Sequence, residues 1–371
     1  MRIDKITGEV CKTTRSLWEE VFYEDSVKFT DYYFKHKAEK NIGYVIGEVP
    51  YDAMMFRTPY NLQIGNEQRE ISYIVGVATR KECRHQGYMR RLLLYSFEEM
   101  YEEKQPFAFL MPANSAIYEP FDFRYIYERD VWKLKDGVRI EDWLEAEDKY
   151  ENSHRNENLL DGLYSVSKLQ KQDSNIPIMN MLAEFANEYL KEHYNIYVHR
   201  DEEYYEMQLK ESQAQNGDIY VVFEQGKIKS FFLYAKEGDE IFIQEVMELE
   251  EGSLEFLQKE EKQKPIIMAR IVHLEEMMKL VCCKEHRELT IKIEDNLIPQ
   301  NAGIYHWEIT SDGSCVTKLG IGNETGELKI AQIDSKRKNI QLKQEEKRMI
   351  SMHISDFAVQ ILKGVFLNEI V

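Results

Sequence analysis

The stretch GVATRKECRHQGYMRRLLLYSFEEM, residues 76–100, restricts what this chain can fold into more than any other segment. An apolar strand, a short turn with one glycine and a helix follow each other without a linker. In the helix, Met89, Leu92, Leu93, Ser96, Phe97 and Met100 recur at i, i+3, i+4, i+7, i+8 and i+11. All but Ser96 are apolar, which gives a core-facing stripe. In the strand, alternation puts Tyr73, Val75 and Val77 on one face and Ile74, Gly76 and Ala78 on the other. A glycine inside a strand marks a bulge or the close approach of another backbone or a ligand.

The turn RKECRHQGYMRR is basic, although the chain carries a formal net charge of −18. Because it opens directly into a helix, free backbone N–H groups, the positive end of the helix dipole and guanidinium groups converge on one point. Such a point suits a pyrophosphate. Gly87 lets the backbone approach without a Cβ, and Arg84, Arg90 and Arg91 can neutralise phosphates.

Around this segment the pattern is helix, helix, several strands, helix, strand, helix turn, strand. Two helical segments fall within residues 12–37, strands at 43–49, 53–58 and 71–79, a buried strand in PFAFLMP, a helix turn in NSAIYEPF and an alternating strand in RYIYERDVWKL. This predicts an α+β fold with one central helix. From about Asp136 the composition becomes more charged, and EDKYENSHRNENLLDG reads as a loop or frayed helix, which places a boundary there. A long amphipathic segment follows, then three strands with turns at Gln225-Gly226 and Glu237-Gly238, echoing the first unit without its glycine turn. A third unit is expected to open with the strand PIIMARIV. It ends on a helix whose stripe is Ile354, Phe357, Ala358, Ile361, Leu362, Val365 and Phe366. The expected units are residues 1–135, 136–264 and 265–371.

Composition narrows the function. At 371 residues and 43% hydrophobic, the chain is ample for two or three domains and for an enzyme. Its acidity argues against nucleic acid or an anionic membrane as partner and favours a cationic small molecule. The N-terminus lacks an apolar core of signal-peptide length, and no apolar run approaches the roughly 20 residues that span a bilayer, so the expected location is cytoplasmic. Five irregularly spaced cysteines suggest neither a disulfide framework nor a zinc site, and His193 and His199 lack partners at ligand spacing, so no metal is expected. Cys83 is read as a packing residue and not an acetyl-carrying nucleophile.

VGVATRKECRHQGYMRRLL resembles the acyl-coenzyme A motif of the GNAT acetyltransferases, an apolar strand followed by [QR]-x-x-G-x-[GA], here Arg84-His85-Gln86-Gly87-Tyr88-Met89. Met89 replaces the final small residue. LMPANSAIYEPFDF resembles a segment of the Eis (enhanced intracellular survival) family, in which serine-rich residues lead into Ile-Tyr and then Phe-Gly-Tyr. Ile117, Tyr118 and Phe121 match, while Asp122-Phe123 replaces Gly-Tyr. The resemblance covers the whole chain, with the sharp motifs within residues 71–125. It implies two tandem GNAT-like domains, the second without the coenzyme motif, followed by a sterol-carrier-protein-like α+β domain. It further implies a homohexamer built as a trimer of dimers.

The resemblance places acetyl-coenzyme A along Val75, Gly76 and Val77. Its pyrophosphate would rest on the amides of Arg84, His85, Gln86, Gly87, Tyr88 and Met89, with Ala113 and Asn114 near the pantetheine arm. Transfer to an amine needs a neutral amine, a stabilised oxyanion and a proton for the departing thiolate. Tyr118 takes the role of acid, since a phenol of pKa about 10 can protonate a thiolate of similar basicity. The family's base is the chain's own C-terminal carboxylate, here that of Val371. It would need a raised pKa, or would act by orienting the amine or a water. The expected reaction is acetyl transfer by direct attack of an amine on a polyamine-like or aminoglycoside-like molecule. A lysine or peptide amine is the alternative acceptor, and a non-catalytic lipid or small-molecule binding protein is the alternative class.

Overall fold

The structure is a computed structural model and describes residues 2–139, 164–168, 176–238, 240–320 and 349–368. The predicted loop EDKYENSHRNENLLDG and the terminal Val371 lie outside the described residues. The chain begins with β1 (Ile3–Thr7), α1 (Arg15–Val21), α2 (Val27–His36), β2 (Ile42–Ile46), β3 (Ala53–Ile64), β4 (Glu67–Thr79), α3 (Tyr88–Glu102), β5 (Phe107–Leu110) and β6 (Arg124–Arg129). Ser26 caps α2 by accepting from Phe29 N at 3.1 Å, as its side-chain oxygen should. α3 instead begins on Gly87, with no side-chain cap.

The chain continues through β7 (Trp132–Leu134), β8 (Tyr164–Lys168), α4 (Ile176–His193), β9 (Ile196–Val198), α5 (Glu202–Ala214), β10 (Asp218–Glu224), β11 (Lys227–Glu237) and β12 (Glu240–Glu248). After β13 (Leu257–Lys259) and β14 (Lys264–Ile271) come α6 (Leu274–Lys279), β15 (Arg287–Glu294), β16 (Gly303–Thr310), β17 (Gly313–Gly320), β18 (Ile350–His353), α7 (Ile354–Ile361) and β19 (Val365–Phe366). The fold is α+β, as expected. Among the described residues no helix is long and apolar enough to cross a membrane.

The main sheet runs β1-β2-β3-β4-β5-β14-β6, with β9 on the outer half of β3 and β19 on β9. A four-stranded sheet β12-β11-β10-β8 follows, and a second one, β17-β16-β15-β18, comes from the C-terminal part. Three expectations change. First, the strands expected at 53–58 and 71–79 are longer: β3 and β4 form one long hairpin around Gly65, with Pro59 facing Ser72. Pro59 is tolerated because it falls in the gap between β2, which pairs as far as Arg57, and β9, which begins at Leu62.

Second, the strand PIIMARIV does not open a separate third unit. As β14 it is hydrogen-bonded on one edge to β5 (Ala269 opposite Phe109) and on the other to β6 (Ala269 opposite Arg124). Its residues are almost wholly apolar because both faces are covered. Third, the final stripe is not one helix. α7 stops at Ile361, Gly364 turns the chain with φ +64°, and Val365–Phe366 pairs in parallel with β9. There a Cβ would lie 2.7 Å from Asn195 Nδ2, so the chain reverses where only glycine fits.

One buried cluster joins α1, α2 and the first sheet (Trp18, Phe56, Tyr73, Phe109) to the second part (Leu182, Tyr205, Phe231) and the C-terminal part (Ile291, Trp307, Phe357). The opposite face of the first sheet packs on α3 through Leu92, Leu93, Phe97 and Met100. Because β14 separates β5 from β6, residues 1–135 alone leave an empty strand position inside the sheet. We expect that fragment to show no cooperative thermal transition by circular dichroism, whereas the full chain melts cooperatively.

Candidate active site

β4 and β5 are parallel partners only at Ser72 opposite Ala108 and Tyr73 opposite Phe109. Beyond that level β4 continues to Thr79 without β5, so the two strands open into a V whose inner edge carries unclaimed backbone groups. The closed end of the V is held by Arg57, buried on β3. Its Nε donates to Ser72 Oγ at 3.0 Å, its Nη1 to Tyr44 Oη at 2.9 Å, and its Nη2 to Glu103. Gln105 also binds Glu103, and its carbonyl accepts from Ser72 N at 3.2 Å. Strand β4 and helix α3 are thus fixed relative to each other where the strands part.

Inside the V, β4 is bulged. Met54 faces Ala78 and Phe56 faces Val75, so Gly76 and Val77 together oppose the single residue Met55. The bulge corrects the simple alternation. Tyr73, Val75 and Ala78 pack in the core shared with α1 and α2, while Val77 joins Ile74 on the α3 side. Gly76 has φ +61°, and a Cβ there would lie 2.7 Å from the Trp18 ring and 3.0 Å from Phe56.

At the open end, a 3-10 turn at Lys81–Cys83 and a left-handed His85 (φ +63°) lead to Gly87 (φ +76°). The first intrahelical bond of α3 runs from Arg91 N to Gly87 O, so the amides before Arg91 have no helical acceptor. A Cβ at Gly87 would meet nothing within 4 Å, which leaves room for a ligand atom at the helix start. Arg84, His85 and Gln86 are exposed there. Tyr88 and Met89 pack their side chains in the α3 core, with Tyr88 Oη donating to Gln86 Oε1 at 3.2 Å. Arg90 lies over the Phe121 ring at 5.8 Å. Ala113 and Asn114 are exposed just past β5, and Asn114 caps the following turn by accepting from Ala116 N at 3.0 Å. Arg84 N already donates to Lys81 O at 3.4 Å; the amides that follow it, the strand bulge and the open space fit a coenzyme's pyrophosphate and arm.

Tyr118 sits between two 3-10 turns, Ser115–Ile117 and Glu119–Phe121, with its ring edge-on to Phe123 at 6.0 Å. Burial pushes its phenol up to about 12. Asp122, which departs from the glycine of the family pattern, adopts the left-handed conformation at φ +65° that an aspartate tolerates. Cys83 is held as a thiol, since burial and the neighbouring Asp52 both push it upward.

Trp18 and Asp25 escaped the sequence reading. Trp18 abuts the bulge, stacks on Tyr33 at 4.3 Å and donates from Nε1 to Asp25 Oδ2 at 2.8 Å. Burial raises the Asp25 carboxyl against that hydrogen bond. No sequence spacing links Trp18 to Gly76. Tyr32 and Tyr33 are core residues, with Tyr32 bound to Glu211 at 3.0 Å and Tyr33 to Asn41 at 2.9 Å.

Gly76→Ala should destabilise the protein by about 2 kcal/mol or more in urea unfolding, because strain at positive φ adds to overpacking against Trp18. Gly87→Ala should cost only about 1 kcal/mol, since it meets strain but no clash.

Residues 2–126 match the sequence profile of the family described as Acetyltransferase (GNAT) domain. Among curated proteins, no sequence matches the chain. Several solved structures share its fold. A protein from Enterococcus faecalis, described as a probable N-acyltransferase, is 16% identical with TM-score 0.66, covering 85% of each chain. A GCN5-related N-acetyltransferase from Anabaena variabilis is 16% identical with TM-score 0.63, covering 86% of each. Eis1 from Mycobacterium abscessus is 10% identical with TM-score 0.62, covering 98% of this chain and 90% of that one. Profile and fold agree with the bulged strand and the glycine-started helix: residues 2–126 form a GNAT acetyltransferase domain, and the chain as a whole shares the fold of N-acetyltransferases.

Proposed function

We propose that this enzyme moves the acetyl group of acetyl-coenzyme A to an amine of a cationic small molecule, polyamine-like or aminoglycoside-like, by direct attack. The observation that carries the reading is the V between β4 and β5, bulged at Gly76 and ending on the uncapped start of α3. When bound, acetyl-coenzyme A supplies an activated acyl group and a thiolate leaving group. The chain's own groups do the rest. Amides of residues 85–89 and the Arg84 side chain hold the pyrophosphate, backbone groups of Val75, Gly76 and Val77 align the arm, and Ala113 and Asn114 line its other side. Tyr118 protonates the thiolate.

A phenol near 12 is a weaker acid than a solvated one. A thiolate leaving beside it would be desolvated too, and its basicity would rise in the same direction. The pair therefore stays matched. Burial also keeps Tyr118 protonated: the acid form is present below its pKa and lost only above it, so Tyr118 introduces no alkaline fall in kcat up to about pH 10.

The α-carboxylate of Val371 is our candidate base. The last described residue, Asn368, donates from Nδ2 to Gln244 O at 2.7 Å and to Glu245 at 3.2 Å, and Leu367 is buried. The chain's net charge of −18 favours a partner with several ammonium groups over a neutral one. By resemblance to the Eis family, we expect a homohexamer, checked by sedimentation.

The deciding experiment is thiol release from acetyl-coenzyme A across polyamines, aminoglycosides and lysine peptides. Release with polyamines or aminoglycosides supports the reading, and release with peptides alone replaces the acceptor class. Tyr118→Phe should lower kcat by about 10²–10⁴ with little change in the KM of acetyl-coenzyme A. Residues added after Val371 should lower kcat as well. Full activity in the extended chain would eliminate the terminal carboxylate as base.

A further inference from the structure

The turn that carries Tyr118 is tied to itself by backbone bonds, Phe121 N to Tyr118 O at 2.9 Å and Phe123 N to the same oxygen at 3.4 Å. One of its attachments to the rest of the protein comes from far along the sequence. Arg270, buried on β14, donates from Nε to the Phe121 carbonyl at 3.0 Å and from Nη1 to the Ile271 carbonyl at 2.6 Å. Its Nη2 reaches Asp295 Oδ1 at 2.8 Å and lies 3.6 Å from Asp122 Oδ2. The guanidinium plane sits over the Phe97 ring of α3 at 4.9 Å.

Asp295 is as completely engaged as Arg270. It also accepts from Leu297 N at 3.0 Å, Ile298 N at 2.9 Å and Asn301 Nδ2 at 3.0 Å. On the far side of Asp122, His353, which caps α7, brings Nδ1 to 3.9 Å of Oδ1. A buried ion pair serving stability alone could lie anywhere along this junction. This one is aimed at a backbone oxygen three residues from Tyr118, and its rigid fork spans the C-terminal part, β14 and the turn at once.

We propose that Arg270, oriented by Asp295, is a positioning residue for acetyl transfer that fixes the turn carrying Tyr118. The proposal rests on the reading of Tyr118 as the acid. It makes two further residues beyond the GNAT profile match, Arg270 and Asp295, part of the transfer machinery, although neither need touch coenzyme or amine. Displacing a catalytic group by about 1 Å is enough to cost roughly 10²-fold in rate.

The test is a double-mutant cycle in the full chain between Arg270→Lys and Tyr118→Phe, read by thiol release with the fastest amine of the polyamine and aminoglycoside panel. Lysine keeps the charge but cannot hold both oxygens with one planar fork. Arg270→Lys is expected to lower kcat about 10–100-fold, leave the KM of acetyl-coenzyme A unchanged, and add little further loss in the Tyr118→Phe background. A 3-fluorotyrosine at position 118 gives a readout that needs no acceptor: its ¹⁹F resonance should shift and broaden in Arg270→Lys. If that variant is not folded by circular dichroism, Asp295→Asn takes its place in both measurements. Losses that multiply independently, or an unchanged kcat and resonance, overturn the proposal and leave Arg270 a stability anchor. Wild-type kcat in Tyr118→Phe itself would remove the acid reading, a result distinct from independence in the cycle.

Discussion

The double edge pairing of β14 is the interaction on which the rest of the structure depends. A strand drawn from residues 264–271 satisfies the inner edges of both β5 and β6, which are close in sequence but do not touch. Adjacent strands lie about 4.8 Å apart, so β5 and β6 stand roughly 10 Å apart across it. The segment between them must therefore bridge two strand spacings. It does so with two 3-10 turns that carry Tyr118, and the guanidinium of the inserted strand reaches the second turn at the Phe121 carbonyl. Breaking a buried, fully engaged ion pair such as Arg270–Asp295 costs about 3–5 kcal/mol, because the partner left behind has no water to replace it.

A second constraint acts at the opposite arm of the V. Left-handed residues gather around it: Gly76 in the bulge, His85 and Gly87 in the turn, and Asp122 behind Tyr118, with φ between +61° and +76°. Such conformations persist only where surrounding packing fixes them. Trp18 is the packing partner at Gly76, leaving no space for a side chain. The Arg57 network does the same at the closed end, where β4, β5 and α3 meet.

Much of the site was legible because it is local. The strand, the basic turn, Gly87 and the periodic helix lie within 25 consecutive residues, and their order points to a helix start suited to a phosphate. The two 3-10 turns around Tyr118 also follow from nearby residues. The face of Val77 was not legible, since a single extra residue in a strand reverses alternation beyond it. Nor was the length of the β3–β4 hairpin, where Pro59 looks like a strand breaker until the gap between β2 and β9 is known.

The sequence by itself determined the α+β class, the strand–turn–helix at which we propose the coenzyme binds and the residue types gathered there, because these depend on periodicity, turn chemistry and backbone freedom over short spans. Only the tertiary structure decided that PIIMARIV completes the first sheet, that Trp18 backs Gly76 and that Arg270 and Asp295 hold the Tyr118 turn. Those pairings join residues dozens to well over a hundred positions apart. An apolar strand covered on both faces carries no mark in its own sequence of which strands will lie beside it.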